Sequence, residues 1–210
     1  HIHSERAIFF EINQAVEDSP IEHFIINSGR PLSMVHPLLT HLQTPKARYV
    51  LLEHACVLFD READAYLDCA QLAAQCGLND LATRYSQVEK IHLLFDWYRA
   101  HGQSSLEAHY QAALPALNKV GNLSFHIPVH VDGDELLQRI ESLARAKLAP
   151  EHLEHLQFLR SDRYIDILPG IHKLDGIHLL AAHLNVDLGH ALAVGDFLND
   201  LSVFEEFHRV

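Results

Sequence analysis

Both ends of the chain alternate short apolar runs with stretches of helical periodicity, and this alternation constrains the fold more than any other feature. Near the start, apolar runs at 23–27 and 48–52 flank a helix predicted over 32–42. Near the end, a helix predicted over 173–184 precedes an apolar run at 190–194. Strands that alternate with helices form parallel sheets with helices on their faces. The sequence therefore predicts an α/β fold built on a parallel-sheet core.

The middle of the chain has a different pattern. Residues 64–118 are rich in Ala, Leu, Gln and Glu with helical periodicity in several pieces. Three further strands are predicted beyond it, at 123–127, 156–159 and 164–168. We therefore predict a discontinuous core of residues 1–59 and 164–210, with a second α/β unit inserted at 60–163.

The composition is that of a globular chain with an acidic surface. Hydrophobic residues make up 48% and charged residues 21%, and the formal net charge is −12. Because nucleic acids and anionic membranes are bound by basic surfaces, this charge argues against both as partners. No apolar run reaches the ~20 residues that cross a bilayer. A small anionic ligand in a local pocket is compatible with these observations.

The cysteines and histidines give no sign of a disulfide framework or a zinc site. The three cysteines, Cys56, Cys69 and Cys76, lack paired short spacing. We interpret them as core thiols of a reducing compartment and expect a cytoplasmic protein. The 18 histidines are scattered, and His152 and His155 lack a third ligand nearby in the sequence, so we assign them to surface or core positions.

An acidic turn follows the last predicted strand. The apolar run stops at Gly195, and Asp196, Asn199 and Asp200 follow within one turn. Open α/β sheets bind ligands beyond the carboxyl ends of their strands, and oxygen-bearing side chains suit Mg²⁺. The alternative is an Asp/Asn turn that caps a helix beginning near Leu201.

Two other segments occupy comparable positions. The sequence Asn-Ser-Gly-Arg-Pro at 27–31 lies between a predicted strand and a predicted helix, where backbone N–H groups can bind phosphate. Lys173 opens the helix that follows the predicted insertion. A cation is unfavourable at the amino end of a helix dipole, so a reason other than helix stability is expected for a lysine at this position. The alternative for the segment at 27–31 is a plain helix-starting turn, and the alternative for Lys173 is a solvent-exposed side chain.

The order of these three elements, with a large insertion between the first and second, resembles the haloacid dehalogenase superfamily of phosphatases. The chain is most similar to the branch with an α/β cap inserted after the second motif, which includes sucrose-phosphate phosphatase and the Cof-type enzymes. The likeness covers nearly the whole chain. It implies a Rossmann-like core, a cap domain, a Mg²⁺ cofactor and hydrolysis of a small phosphorylated metabolite, with a sugar phosphate as the expected substrate.

The resemblance also implies roles for the residues of the acidic turn and for the lysine. Asp196 is implied as the direct Mg²⁺ ligand, and Asp200 as a second acidic group that binds the metal directly or through water. Asn199 is implied as a hydrogen-bonding group that orients the substrate. Lys173 is implied as the catalytic ammonium beside the transferred phosphate.

The resemblance implies substrate binding for the segment after the first predicted strand. Ser28 is implied to donate its hydroxyl to a phosphate oxygen, with help from backbone N–H groups at Gly29 and beyond. Arg30 resembles the arginine that follows the glycine in this family. It is implied to contact either substrate or cap, and a plain surface ion pair is the alternative.

One part of the family's machinery does not occur in the sequence. The family's nucleophile is the first aspartate of an Asp-x-Asp motif, which forms an aspartyl-phosphate, and the second aspartate acts as general acid and base. No Asp-x-Asp followed by Gly-Thr precedes Ser28, and Asp132-Gly-Asp134 lies within the inserted unit. We therefore expect the nucleophile to lie outside this sequence.

Two other functions stay open at this point. A non-catalytic metabolite-binding or interaction protein on the same scaffold would lack the nucleophile altogether. A generic α/β domain would use the acidic turn only as a helix cap. P-type ion pumps share a similar acidic motif and lysine, but the sequence lacks their membrane helices. The oligomeric state is not predicted.

Overall fold

The computed structural model describes most of the chain and divides it into two compact units. The described residues are 2–88, 93, 96, 100, 119–147, 155–161, 163–195 and 200–209. The first unit comprises residues 1–72 and 172–210, and the second comprises residues 73–171. The inserted unit predicted at 60–163 therefore differs from this division at both of its ends.

The first unit contains the elements predicted at the two ends of the chain, with small shifts in their bounds. Its elements are α1 (Ile2–Asp18), β1 (Ile26–Asn27), α2 (Leu32–His41), β2 (Tyr49–Leu52), β3 (Val57–Asp60), β4 (Ala65–Leu67), α6 (Lys173–Leu184), a 3₁₀ turn (Leu188–His190), β8 (Leu192–Ala193), α7 (Leu201–Glu206) and β9 (His208–Arg209). A further helix, α3 (Cys69–Gln75), spans the boundary at residue 72. The helix predicted over 173–184 is confirmed.

The sheets of the first unit are parallel only in part. β1 pairs with β2 in parallel, and so does β8 with β9. β2, β3 and β4 pair antiparallel in the order β1-β2-β3-β4. The predicted α/β fold with parallel pairing is confirmed, but β3 is not a parallel strand. Residues 53–56, which join β2 to β3, are too few for a parallel connection. Such a connection needs a crossover of roughly a dozen residues.

The second unit is built on a three-stranded antiparallel sheet. Its described elements are α4 (Asn79–Ser86), β5 (Leu123–His126), α5 (Gly133–Lys147), β6 (Gln157–Arg160) and β7 (Tyr164–Leu168). The strand order is β5-β7-β6. Because β7 pairs with both of its neighbours, residues 164–168 belong to this sheet and not to the core in which we expected them.

Helix α5 packs against one face of this sheet. Leu136 and Ile140 of the helix and Phe125 and Ile167 of the strands belong to one fully buried cluster. At the start of the helix, the Asp132 carboxylate accepts hydrogen bonds from the backbone N–H groups of Asp134 and Glu135. These bonds hold the pKa of Asp132 below its usual value.

A buried ion pair lies in the second unit among polar neighbours. Lys119 Nζ donates to Asp166 Oδ1 over 3.1 Å, and the two side chains are 4% and 11% exposed. Asn122 Nδ2 donates to the same oxygen over 3.2 Å, and the Ser124 hydroxyl also donates to it. The Asp166 carboxylate therefore accepts from two neutral donors as well as from the Lys119 ammonium.

The cysteines are free thiols, as their spacing predicts. Cys56 and Cys69 are buried, and Cys76 is half-buried. Burial raises the pKa of the Cys69 thiol to about 12, so it stays protonated at neutral pH. Among the described residues, no helix has the length and apolar character that a membrane crossing requires.

Candidate functional site

The loop after β1 is held in a tight conformation next to β2. Ser28 N–H donates to the Leu51 carbonyl over 2.9 Å, and Arg30 N–H donates to Ser28 Oγ over 3.2 Å. Helix α2 begins directly after Pro31, which suits the start of a helix because its missing N–H would have no partner there. The loop thus lies between the end of a strand and the start of a helix, where backbone N–H groups favour anions.

Glycine is required at position 29 by a close neighbour. A Cβ placed on Gly29 would lie 2.7 Å from Nε2 of His54, well inside van der Waals contact. Any larger residue would have to displace the imidazole ring. The Arg30 side chain that follows is exposed, which is compatible with either role that the resemblance implies for it.

Lys173 is buried rather than solvent-exposed. It is the first residue of α6, it is 8% exposed, and Nζ donates to Asp200 Oδ1 over 2.6 Å. An ammonium group at the amino end of a helix opposes the helix dipole. The Asp200 carboxylate offsets that cost, and so does Asp175 in the first turn of α6. The lysine is therefore held where its charge is shielded from solvent.

Asp200 pairs with the lysine instead of capping the helix that follows it. The residue precedes α7 as its N-cap, yet its side chain makes no capping hydrogen bond to the described part of that helix. Its Oδ2 atom lies 2.8 Å from the position of a Cβ on Gly195, so the carboxylate folds back onto the end of the β8 segment. For Asp200, the helix-cap alternative is not supported.

The other two residues of the predicted acidic turn, Asp196 and Asn199, lie outside the described residues. Within the described ranges, no group of three or more His, Cys, Asp or Glu side chains could hold a metal. Because Asp196 is not in those ranges, its predicted role as a Mg²⁺ ligand remains a prediction. Of the predicted site residues, the structure brings Lys173 and Asp200 into direct contact.

The turn between β2 and β3 contacts the loop after β1, and no sequence pattern pointed to this contact. Glu53 N–H donates to the Arg30 carbonyl and His54 N–H to the Ser28 carbonyl, each over 3.2 Å. Glu53, His54 and Ala55 have φ values of 53, 61 and 69°, in the left-handed region that non-glycine residues rarely adopt. Backbone of this kind costs on the order of 1–3 kcal/mol per residue and is enriched at functional sites.

The same turn also contacts the helix that carries Lys173. A Cβ placed on Gly176 of α6 would lie 2.4 Å from the Cβ of Ala55, so glycine permits the close approach. The turn thus touches both the loop after β1 and α6. Nor did a sequence pattern predict the contact between β1 and α6, in which the Asn27 side chain donates to the Lys173 carbonyl over 3.1 Å.

Comparison with known proteins identifies the relatives of this fold. The model of the haloacid dehalogenase-like hydrolase family matches residues 116–209, which include Lys173 and the acidic turn. Sucrose-phosphatase from Synechocystis sp. PCC6803 is 15% identical with a TM-score of 0.61, and the alignment covers 97% of this chain and 75% of that chain. No curated protein sequence matches the chain.

Two further solved structures show the same likeness. A haloacid dehalogenase-like hydrolase from Bacteroides thetaiotaomicron is 14% identical over 96% of this chain and 77% of that chain, with a TM-score of 0.57. A phosphatase of the haloalkanoate superfamily from the same organism is 17% identical over 94% and 72%, with a TM-score of 0.52. These findings confirm the predicted fold and the resemblance to haloacid dehalogenase-like hydrolases.

Proposed function

We propose that this protein is a cytoplasmic Mg²⁺-dependent phosphatase that hydrolyses a small phosphorylated metabolite, with a sugar phosphate as the substrate class. The observation that carries the proposal is the buried pair of Lys173 and Asp200. Lys173 begins α6, and its ammonium donates to Asp200. Its carbonyl accepts a hydrogen bond from Asn27, the residue that directly precedes Ser28. A buried cation, a carboxylate and a loop suited to anions are groups that phosphoryl transfer uses for positioning and charge neutralisation.

The chain's own residues have distinct roles in this proposal. Phosphoryl transfer depends on positioning and charge neutralisation more than on covalent chemistry by the protein. Ser28 and the backbone N–H groups after it bind the phosphate oxygens. Lys173 stabilises the charge of the transferred group, because its side chain is buried, where a charge acts more strongly than in water. Asn199 orients the substrate, and Arg30 contacts either the substrate or the cap.

The donor chemistry of the acidic turn fits a magnesium ion. Asp200 contributes a partly buried carboxylate. Its Oδ1 atom accepts a hydrogen bond from Lys173, and its Oδ2 atom lies beside Gly195. Carboxylate oxygens are the ligands that Mg²⁺ takes in proteins, so Asp200 and Asp196 would hold the ion. When bound, the ion would neutralise charge on the phosphoryl oxygens.

Two parts of the proposal come from the resemblance alone. We propose that the attacking carboxylate belongs to an Asp-x-Asp segment outside the 210 residues and forms an aspartyl-phosphate that water then hydrolyses. We also propose that the second unit serves as the cap domain and selects the substrate.

The test is phosphate release by the protein made from its complete coding sequence. A panel of sugar phosphates and other phosphorylated metabolites is assayed with Mg²⁺ and with excess chelator. We expect turnover of at least one sugar phosphate, loss of that turnover with chelator, and no turnover in Asp196→Ala, because the metal loses a ligand.

The matched control is Asp187→Ala. Asp187 is also an aspartate of the first unit, but it is 81% exposed and its carboxylate accepts the backbone N–H of Gly189. We expect this variant to keep its activity. Undiminished turnover in Asp196→Ala, or turnover that is unchanged by excess chelator, would contradict the metal assignment. Activity confined to substrates other than sugar phosphates would contradict the substrate class.

A further inference from the structure

We propose that Asn27 is a positioning residue that fixes the backbone of Lys173 for phosphoryl transfer. This inference rests on the proposed function, since it assigns Asn27 a role that acts through Lys173. It concerns the first residue of the Asn-Ser-Gly-Arg-Pro segment, to which the sequence pattern assigns no role of its own.

The first observation is a hydrogen bond between distant parts of the chain. Asn27 Nδ2 donates to the carbonyl oxygen of Lys173 over 3.1 Å, although the two residues are 146 positions apart. Asn27 is the last residue of β1, where it pairs with Leu51, and it directly precedes Ser28. The bond therefore ties the end of the strand that leads into the anion-binding loop to the first residue of α6.

The second observation concerns the other end of the same side chain. Asn27 Oδ1 is buried, and no donor among the described residues reaches it. A buried polar atom without a partner costs on the order of 1–3 kcal/mol. An apolar residue in this strand position would avoid that cost. It could not donate to the Lys173 carbonyl, however, so the hydrogen bond from the amide accounts for a polar side chain here.

The third observation is that Lys173 is held at both ends. Asp200 binds its ammonium over 2.6 Å, and Asn27 binds its backbone carbonyl. A displacement of about 1 Å in a catalytic group can cost on the order of 10²-fold in rate. With its backbone released, the lysine would keep its charge but lose part of its alignment with the phosphate. The expected effect therefore falls on the rate of the chemical step.

The experiment is a double-mutant cycle in the full-length protein, with phosphate release as the assay. Asn27→Leu keeps the approximate shape of the side chain and removes the donor. We expect kcat to fall on the order of tenfold, with KM changed less than about twofold, because alignment and not binding is lost. In the Lys173→Ala background, Asn27→Leu should lower kcat less than about twofold further.

Asn13→Leu is the matched control. Asn13 Nδ2 also donates to a distant carbonyl, that of His41 over 2.9 Å, but it contacts no candidate site residue in the described part of the chain. We expect this variant to keep its kcat. If Asn27→Leu fails to fold, Asn27→Asp provides the same test, since an ionised carboxylate keeps the shape and cannot donate.

The outcomes separate this inference from the proposed function. Full kcat in a folded Asn27 variant would overturn the inference, and so would a loss of equal size with and without Lys173. Both results would leave the proposed function intact. A rate that does not change in Lys173→Ala would instead overturn the role of the lysine, and with it both proposals.

Discussion

Two buried lysine–aspartate pairs lie among the described residues, one in each unit, and their surroundings differ. The Lys173–Asp200 pair has a separation of 2.6 Å with side chains 8% and 15% exposed. The Lys119–Asp166 pair has a separation of 3.1 Å with side chains 4% and 11% exposed. By distance, burial and charge, the two pairs are nearly equivalent. Burial of a charged pair therefore does not by itself identify an active site.

The surroundings of the two carboxylates separate them. Asp166 accepts from Asn122 and Ser124 as well as from the lysine, so its charge is compensated by the fold. Asp200, in the described part of the chain, accepts from Lys173 and has its second oxygen against Gly195. A carboxylate with remaining acceptor capacity can bind a cation. The first arrangement satisfies a buried carboxylate within the second unit, and the second suits a site for ligands.

The largest expected effect on stability is in the second unit. Asp166→Asn leaves the Lys119 ammonium buried without its counter-charge, and breaking a buried pair in this way costs about 3–5 kcal/mol. We expect a loss of this size in the free energy of unfolding, measured by urea denaturation. Lys119→Met combined with Asp166→Asn should recover part of it, because no charge stays buried. A single variant within about 1 kcal/mol of the wild type would contradict the structural role of the pair.

A smaller effect is expected at the loop beside the functional pair. Gly29→Ala places a methyl group 2.7 Å from the His54 ring, so the ring or the loop must move. Overpacking of this kind costs about 1–3 kcal/mol, and we expect kcat/KM for phosphate release to fall roughly tenfold.

The control for this variant is Gly133→Ala, in the second unit. Its Cβ would lie 2.4 Å from Arg160 Nε, but that exposed side chain is flexible and can move aside. Its kcat/KM should stay close to that of the wild type. Equal losses in the two variants would mean that the loop after β1 is not special to the site.

Sequence patterns predicted much of the fold because local periodicity determines single elements. The helix over 173–184 and the strands at 123–126 and 164–168 follow from such periodicity. Pairing was harder to predict. β6 and β7 are close in sequence and form a hairpin, and neighbouring strands usually pair, yet the predicted domain boundary separated them.

The candidate site shows the same limit. The order of the motifs predicted that Lys173 and Asp200 belong to one site, and the structure brings them together. The contacts of Asn27 and His54 had no local signal. The first joins residues 146 positions apart, and the second depends on a turn made by non-glycine residues with positive φ. Such features depend on tertiary packing and not on a sequence pattern.

The most direct test of the difference between the pairs compares Lys173→Ala with Lys119→Ala in the full-length protein, with kcat corrected for the folded fraction. We predict that Lys173→Ala lowers kcat on the order of 10²–10³-fold, as for the loss of one preorganised charge-stabilising donor, and that Lys119→Ala leaves the corrected kcat unchanged. A loss of less than about threefold in Lys173→Ala, or an equal loss in both variants, would contradict the assignment.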